Sequence, residues 1–419
     1  MNPETPSASS SAARTADIAI IGGGIIGMSC AYELARQSGL RVVVFDKQLP
    51  ATGTTGGSAG VICLHDMGKI YALLTLLGFA RVQELRREHD FGFQPWGTLL
   101  ALYGEGKMPT EPDVYARRFG GQPHSIYEQE FLSAEELVRR FPWIKKEGVR
   151  GGIYYPNQGY IDPTALTAVY EKLAGATGRV TVMRNTPVLQ VRTEGERIET
   201  LVTRRGAWSV GAVLNAGGPW GAKVAALAGS ELALTPQRIQ VCVATAFDDG
   251  AERAPLTPLP QEVKGEGVWC RGEIGDTMLF GQHHHTTKDG FTVDPDFVNK
   301  VNDAEFPGEV EAVVRRYWHL PKTTFLNGWC CVYGTTEDGF PIVSRDLRMR
   351  NFFHAVGLNG HGITCHAGIA HMVAELVLRG GTSLDVSAVT GGREKRLEFG
   401  KLDAGRFARR ELLTFELGE

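Results

Sequence analysis

The chain of 419 residues lacks long apolar runs, basic blocks and paired cysteine motifs. Its most apolar segment, residues 70–80, is too short to span a bilayer, so no transmembrane segment is expected. The seven cysteines are scattered without C-x-x-C spacing, which favours reduced thiols in a cytoplasmic protein over a disulfide framework. The net charge of −3 gives no reason to expect nucleic acid as a partner.

Signals for secretion and for metal binding are also missing. Residues 1–16 have neither a basic start nor an apolar core and are rich in Ser, Ala, Pro and Thr, so they are predicted to form a disordered tail. His283 and His285 would share one face of a strand. No carboxylate or cysteine joins them at ligand spacing, so no metal is expected there.

A complete βαβ unit is present near the start of the chain. A buried-strand run at residues 17–21 leads through a G-x-G-x-x-G motif (Gly22, Gly24 and Gly27) into a helix, and the next apolar run ends at Asp46. The glycines permit a tight turn, close approach to a pyrophosphate and close helix–strand packing, while the acid can accept from ribose hydroxyls. The pattern predicts a dinucleotide site for FAD or NAD, with a structural glycine turn as the alternative.

Three later segments combine glycines with the ends of strands or the starts of helices. Residues 52–62 carry hydroxyl side chains among glycines, as in a loop that wraps an anionic or planar ligand, or in a plain surface loop. Residues 212–220 take a predicted strand into consecutive glycines before a helix. Residues 357–362 separate a predicted strand from a helix, an arrangement that suits an anion or an electron-rich ring edge.

With these landmarks in order, the chain resembles the FAD-dependent oxidoreductases of the D-amino-acid oxidase superfamily, and most of all the glycine oxidase and monomeric sarcosine oxidase branch. The landmarks are IIGGGIIG, Asp46, GTTGGSAG, VLNAGGPWG, TTEDGFPIV, AVGLNGHGI and the Arg406-Phe407 pair. Several landmarks in the family's order are far more specific than one glycine motif, and they decide for FAD over NAD.

The resemblance implies an α/β fold with two domains. A Rossmann-type FAD-binding domain would be built from discontinuous segments, and a substrate domain would contain a large mixed or antiparallel β-sheet. The expected segments are 17–66, 150–220 and 330–385 for the FAD domain, 67–149 and 221–329 for the substrate domain, and 386–419 for a C-terminal tail packed on the FAD domain. Within the substrate domain, residues 295–320 carry a helical pattern that ends at Trp318.

The same resemblance implies the cofactor residues. The residues expected to bind FAD are Gly22, Gly24, Ile25, Ile26, Gly27, Asp46, Lys47, Thr54, Thr55, Gly57, Ser58, Val188, Gly217, Trp220, Cys331, Gly357, Asn359, Gly360, His361, Gly362 and Ile363. Cys331 matches a cysteine that bonds covalently to the flavin in the sarcosine oxidase branch, although its segment departs from that pattern at Gly334 and Glu337. The alternative for Cys331 is a buried apolar thiol.

The residues expected to be catalytic are Tyr333, Arg271 and His361. Tyr333 matches a tyrosine that faces the substrate in the sarcosine oxidase branch. The chain has Tyr333 where glycine oxidases have an arginine, and Thr364 where sarcosine oxidases have a lysine. Arg271 is therefore the candidate for binding a substrate carboxylate. His361 is expected to contact the flavin ring or the substrate, or to be a structural residue of its turn.

The resemblance implies an enzyme that oxidises the C–N bond of a secondary amine or amino acid. A hydride would pass to flavin N5, the imine would hydrolyse, and oxygen or a quinone-type acceptor would take the electrons. A free amine has a lone pair to drive this step, so no protein base is required. Two alternatives stay open: a flavin dehydrogenase of a 2-hydroxy acid, with a base such as His65 or His361, and a flavin-binding subunit of a hetero-oligomeric dehydrogenase.

Overall fold

The computed structural model of the protein describes residues 14–64, 68–104, 114–119, 125–245, 253–259, 266–284, 292–298 and 300–414. The strands are β1 (Arg14–Ile21), β2 (Val42–Phe45), β3 (Val61–Ile62), β4 (Thr98–Tyr103), β5 (Glu130–Ser133), β6 (Val149–Tyr155), β7 (Gly159–Tyr160), β8 (Val180–Met183), β9 (Val188–Glu194), β10 (Arg197–Thr203), β11 (Gly206–Asn215), β12 (Thr235–Thr245), β13 (Thr257–Pro258), β14 (Glu266–Glu273), β15 (Thr277–His284), β16 (Thr324–Thr335), β17 (Ile342–Arg345), β18 (Phe352–Val356), β19 (Ser383–Asp385) and β20 (Arg396–Glu398). The α-helices are α1 (Ile25–Gln37), α2 (Gly68–Leu85), α3 (Val114–Phe119), α4 (Ala134–Arg140), α5 (Pro163–Ala176), α6 (Gly221–Leu227), α7 (Phe306–Tyr317), α8 (Gly362–Arg379) and α9 (Ser387–Thr390). Across these described ranges, no helix is both long enough and apolar enough to cross a bilayer.

Some expectations concern residues outside the described ranges. The residues concerned are 1–13 of the predicted tail, His65, His285 and the side chain of His283. The tail prediction was wrong for residues 14–16, which begin β1. They are ordered because they pair in parallel with residues 208–210 of β11.

The central sheet has β1 in its middle. The strand β1 pairs in parallel with β2 on one side and β11 on the other, and the order is β17-β18-β11-β1-β2-β8, with the β9–β10 hairpin added antiparallel to β11. Ile18 and Ile20 pack with α1, α2 and α8, whereas Ala19 and Ile21 pack with α6, so both faces of β1 are buried. The carboxyl ends of β1, β2, β11 and β18 meet at one edge, which is where open parallel sheets bind ligands.

A second sheet system is built from the β-rich middle of the chain. The strand β12 lies between β15 and β16 in an antiparallel sheet of order β13-β14-β15-β12-β16. A three-stranded sheet, β4-β6-β5, continues from it through a bridge between Thr98 and Leu256. Both sheets share a core with α7 that contains Leu99, Phe280 and Trp318. The expected fold class, an α/β sheet with a parallel centre and a second large sheet, is confirmed.

Two strands do not lie in the sheet that their segments led us to expect. The strand β6 falls within the segment 150–220 expected for the FAD domain, but it pairs with β4 and β5. The last residues of β16 fall within the segment 330–385, but they continue the pairing with β12 as far as Thr335. The domain boundaries as a whole stay predictions.

The helix predicted at residues 295–320 is shorter than its sequence pattern. It begins at Phe306, with Pro307 in its first turn, and ends at Tyr317. Upstream, the Asp294 carboxylate accepts a hydrogen bond from the Asp296 N–H at 3.0 Å. Such a side-chain turn competes with helical backbone bonding, which explains why residues 294–298 are not helical.

The C-terminal segment packs against the turn between β16 and β17. Arg406 is buried, and its Nε and Nη2 atoms lie 2.7 and 2.9 Å from the two carboxylate oxygens of Asp338. The backbone N–H of Leu413 donates to the same carboxylate at 3.2 Å. The ion pair therefore fixes residues 406–413 beside the end of β16.

Candidate functional site

A cavity of about 350 Å³ lies at the edge where β1, β2, β11 and β18 end. The predicted cofactor residues that line it are Gly22, Gly24, Ile25, Ile26, Asp46, Lys47, Thr54, Thr55, Ser58, Val188, Gly217, Trp220, Gly357, Asn359, Gly360, Gly362 and Ile363. Tyr333, predicted to be catalytic, lines the same cavity. The fold thus brings the separate glycine-rich segments of the sequence to one place.

The glycine motif has the geometry that its spacing predicts. Gly22 has a φ of +114°, and a Cβ atom there would lie 2.3 Å from the carbonyl oxygen of Ala216. A Cβ atom at Gly27 would lie 1.8 Å from the carbonyl oxygen of Gly22. Only glycine allows α1 to pack this closely against the end of β1.

The N-terminus of α1 borders the cavity. Gly24 is its N-cap residue, and this end has no side-chain cap and no acidic residue in the first turn. The backbone N–H of Ile25 donates to Thr55 Oγ1 at 3.1 Å. The uncapped positive end of a helix of this length suits a phosphate group.

Asp46 lines the cavity just beyond the end of β2. Its Oδ2 atom accepts a hydrogen bond from the Gly23 N–H at 2.7 Å, and its Oδ1 atom accepts one from the Gln48 N–H at 2.8 Å. These bonds fix the carboxylate and leave further lone pairs for ribose hydroxyls. The glycine turn and this acid together fit the ADP half of a dinucleotide.

The loop after β2 is held against β16. The Thr54 hydroxyl donates to the Val332 carbonyl at 2.5 Å, and the Trp329 indole N–H donates to the Gly57 carbonyl at 2.9 Å. The hydroxyl side chains of this loop line the cavity between α1 and β16. The loop is therefore part of the site and not a plain surface loop.

The loop at residues 357–362 forms a further wall of the cavity. Asn359 has a φ of +51°; its side-chain oxygen accepts from the Thr336 N–H at 2.9 Å, and its side-chain nitrogen donates to the Gly357 carbonyl at 2.5 Å. These bonds place Gly360 against the ring of Tyr333. Because α8 begins directly after the loop, a second helix N-terminus borders the cavity.

Four predicted cofactor residues lie behind the cavity wall. Gly27 packs inside the motif, and Gly57 and Cys331 touch each other, since a Cβ atom at Gly57 would lie 2.6 Å from the Cβ of Cys331. His361 is the N-cap residue of α8, and its ring packs edge-to-face on Tyr71 with 5.1 Å between ring centroids. None of the four is among the residues that line the cavity.

Arg271 does not reach the cavity, in contrast to the expectation that it binds a substrate carboxylate. Its guanidinium is buried; Nε donates to the Ala59 carbonyl at 2.8 Å, and Nη1 donates to the Gly272 carbonyl at 2.6 Å. Its Nη2 atom pairs with Glu273 at 2.9 Å, and its Cζ lies 3.9 Å from the ring centroid of Tyr160. Arg271 thus ties the loop after β2 to β14, and its hydrogen-bonding capacity is directed there.

Some lining residues lie inside the glycine-rich segments predicted from the sequence, although they were not predicted individually: Ile21, Thr52, Gly53, Ala216, Gly218, Pro219, Ala355 and Leu358. The residues outside those segments are Phe45, Gln48, Ala51, Thr186, Pro187, Lys223, Val224, Leu227, Asp296 and Gly334. Most of this second group lie within a few positions of a predicted residue, which is the signal that could have found them. Asp296 carries no such signal, because it comes from the segment between β15 and α7.

The chemistry of the site fits FAD. It offers two helix N-termini, close-approach glycines, hydroxyl side chains and a fixed carboxylate, which are the groups that a dinucleotide requires. Within the ranges that the structure describes, no group of three or more His, Cys, Asp or Glu side chains is placed to hold a metal ion.

Known proteins resemble this chain over most of its length. Human mitochondrial dimethylglycine dehydrogenase is 24% identical over 88% of this chain, which spans only 43% of that protein's length. Glycine oxidase of Geobacillus kaustophilus is 26% identical, with 88% of this chain and 95% of that protein covered. Monomeric sarcosine oxidase of Bacillus sp. (strain NS-129) is 25% identical, with 90% and 97% covered.

The fold also matches solved structures. The crystal structure of L-proline dehydrogenase from P. horikoshii has a TM-score of 0.74 and 22% sequence identity, with 96% of this chain and 100% of that chain covered. The family model described as FAD dependent oxidoreductase matches residues 17–376. These findings confirm the resemblance that the motifs carried, and with it FAD as the cofactor. The chain belongs to the FAD dependent oxidoreductase family.

Proposed function

We propose that the protein oxidises the carbon–nitrogen bond of a secondary amine or amino acid. The observation that carries the proposal is that one cavity joins the ADP-type groups, Gly24 and Asp46, to the wall formed by Tyr333 and Gly360. The names of its relatives support the substrate class. Dimethylglycine, glycine, sarcosine and proline all contain a nitrogen bonded to a carbon that bears hydrogen.

Bound FAD would supply the redox chemistry by accepting a hydride from the substrate carbon next to nitrogen. Tyr333 would orient the substrate, because its side chain lines the cavity next to Gly360. Burial raises the pKa of the Tyr333 phenol, so it stays protonated at neutral pH and can donate a hydrogen bond. The lone pair of a neutral amine assists the loss of hydride, so this arrangement works without a protein base.

The protein would hold the cofactor from both ends. The start of α1 would bind the pyrophosphate and Asp46 the ribose, as their geometry suits. The start of α8, at Gly362 and Ile363, would lie beside the isoalloxazine, where a positive helix end stabilises a reduced ring. Arg271 would act indirectly, as a positioning residue that fixes the Ala59 carbonyl next to the cavity-lining loop.

We further propose that FAD is held without a thioether to Cys331. The Cβ of Cys331 packs on Gly57, and burial raises the pKa of its thiol to about 12. Covalent attachment requires a thiolate that reaches the flavin. Acid precipitation of the purified protein tests this proposal: free flavin in the supernatant is expected, and flavin retained in the pellet would contradict it.

The hydroxy-acid alternative has less support from the site. That reaction requires a base that takes the hydroxyl proton. The ring of His361 packs on Tyr71, behind the cavity wall, and His65 lies outside the described residues.

Oxygen or a quinone-type compound would reoxidise the flavin. The seven buried, unpaired cysteines support a reducing, cytoplasmic location.

Anaerobic titration of the FAD-loaded protein tests the function. The panel contains N-methyl amino acids, proline, primary L- and D-amino acids and 2-hydroxy acids, and the readout is bleaching of the flavin absorbance. Bleaching by an N-methyl or cyclic amino acid is expected. Bleaching by hydroxy acids alone would contradict the proposal. Flavin that every compound leaves oxidised would instead indicate a subunit that requires a partner chain.

A further inference from the structure

Residues 292–298, here called the strap, connect the second sheet to the ADP side of the cavity. At the start of the strap, the Val293 N–H donates to the carbonyl of Pro236 on β12 at 3.1 Å. Just beyond its end, the Lys300 carbonyl accepts from the N–H of Cys330 on β16 at 2.9 Å. The strap is thus attached to the second sheet on both sides of its middle.

Asp296, in the middle of the strap, contacts three side chains that line the cavity. Its Oδ1 atom lies 2.6 Å from Lys47 Nζ, and its Oδ2 atom lies 2.6 Å from Lys223 Nζ. The indole N–H of Trp220 donates to Oδ1 at 2.7 Å. Because all four residues line the cavity, these bonds lie at its boundary.

Further contacts connect the side chains around Asp296. The Lys47 amine lies 3.9 Å from the ring centroid of Trp220, and Asp294 pairs with Lys223 at 2.5 Å. Hydrogen bonds from Lys223 and Lys47 lower the pKa of Asp296. The carboxylate of Asp296 therefore stays ionised throughout the neutral range.

We infer that the strap retains FAD by closing the ADP side of the cavity through Asp296, so that the cofactor enters or leaves only when these contacts open. The inference depends on FAD binding in this cavity, and not on which substrate is oxidised. Lys47 follows the ribose-binding acid Asp46 directly, and Trp220 follows the glycine turn after β11. The strap thus joins the two sheet systems across the adenosine half of the cofactor.

The contacts of Asp296 would slow the release of FAD but would not prevent it. The exposed fractions of the side chains are 40% for Lys47, 46% for Lys223 and 37% for Asp296. Ion pairs this exposed are individually weak and are screened by salt. High salt should therefore speed the release of FAD by opening the strap.

The variant Asp296→Asn tests the inference, because it removes the charge with little change in shape. FAD release is followed after dilution of the holoprotein, as the increase in free flavin fluorescence. At low salt we expect release to be about five- to tenfold faster in the variant, from the loss of two ion pairs. Addition of about 1 M salt should speed release from the unmodified protein but change the variant little.

Asp303→Asn is the matched control. Asp303 also leads into α7 and pairs with Arg238 at 2.9 Å, but it does not line the cavity. The control should release FAD at the unmodified rate. The inference is overturned if Asp296→Asn releases FAD no faster, if both variants accelerate equally, or if the flavin proves covalent so that no exchange occurs. All rates are measured without substrate, so failure of the proposed amine oxidation would leave this result interpretable.

Discussion

The ring of Tyr333 lies directly against Gly360, and a Cβ atom at position 360 would come within 2.6 Å of the ring carbon Cε2. Gly360 has a φ of +89°, a conformation that strains any other residue. Tyr333 belongs to β16 of the second sheet, whereas Gly360 belongs to the loop that precedes α8. This single contact therefore sets the distance between the two walls on the flavin side of the cavity.

Gly360→Ala should displace the Tyr333 ring and lower kcat/KM by roughly 10- to 100-fold, because a misplaced wall misorients the substrate. The measurement is flavin reduction by the substrate that the anaerobic titration identifies. Gly308→Ala in α7 is the control, since an added Cβ there meets nothing within 4 Å. An unchanged rate for Gly360→Ala would show that the contact does not set the active geometry.

Asp46→Ala should weaken FAD binding by roughly 10- to 100-fold, because it removes both a ribose acceptor and the charged hydrogen bond from Gly23. Titration of the apoprotein with FAD, followed by quenching of flavin fluorescence, measures the affinity. Asp17→Ala removes an exposed ion pair with Arg41 in the middle of β1, away from the cavity lining, and should bind FAD normally. Equal affinities in the two variants would contradict the role of Asp46.

Arg406→Met should destabilise the protein by about 3–5 kcal/mol, because it leaves the Asp338 carboxylate buried without its partner. The side chains of this pair are 1% and 0% exposed. Urea unfolding of the apoprotein measures the loss. The exposed Arg350–Glu196 pair provides the control, since Arg350→Met should cost less than about 1 kcal/mol. Similar losses in the two variants would argue against the burial-based explanation.

His366 should make the protein less stable as the pH falls from about 6.5 to about 4. Its Nε2 atom accepts from the Tyr170 hydroxyl at 2.8 Å and its Nδ1–H donates to the Ile363 carbonyl at 2.7 Å, which is the bonding of a neutral ring. Burial lowers the pKa of His366 to about 4, from 6.5 in an exposed histidine. Between these values the unfolded chain binds a proton that the folded chain does not, so folding loses about 3 kcal/mol across the window.

The matching measurement is the free energy of unfolding against pH for the unmodified protein and His366→Gln. As the pH falls through this window, the free energy of unfolding should decrease more for the unmodified protein than for the variant. Curves that stay parallel from pH 7 to 4 would contradict the assignment.

Local patterns predicted the βαβ unit well, because Gly27 packs on Gly22 and Asp46 accepts from Gly23, and both contacts join residues within about 25 positions of each other in sequence. The position of Arg271 outside the cavity lining could not be predicted in the same way. The pattern of β14 shows that position 271 lies on a strand, but not that the guanidinium would bond to Ala59 and Glu273. Those bonds depend on how a loop more than 200 residues away packs on the sheet.

Asp296 could not be predicted for a related reason. It sits in a sequence that resembles a helix start, and its partners Lys47 and Lys223 come from the other sheet system. Ion pairs between distant surface residues leave no periodic pattern in the sequence. The pairing of β6 with β4 and β5 could not be predicted either, because the sequence of one strand does not specify which strands it pairs with.

The arrangement of the central sheet also has a consequence for synthesis in the cell. The strand β1 leads directly into the first glycine motif, but its neighbour β11 follows about 190 residues later and β18 later still. A growing chain therefore displays the phosphate-binding turn long before α8 exists to complete the pocket. FAD should therefore bind late, after the ribosome has synthesised most of the polypeptide.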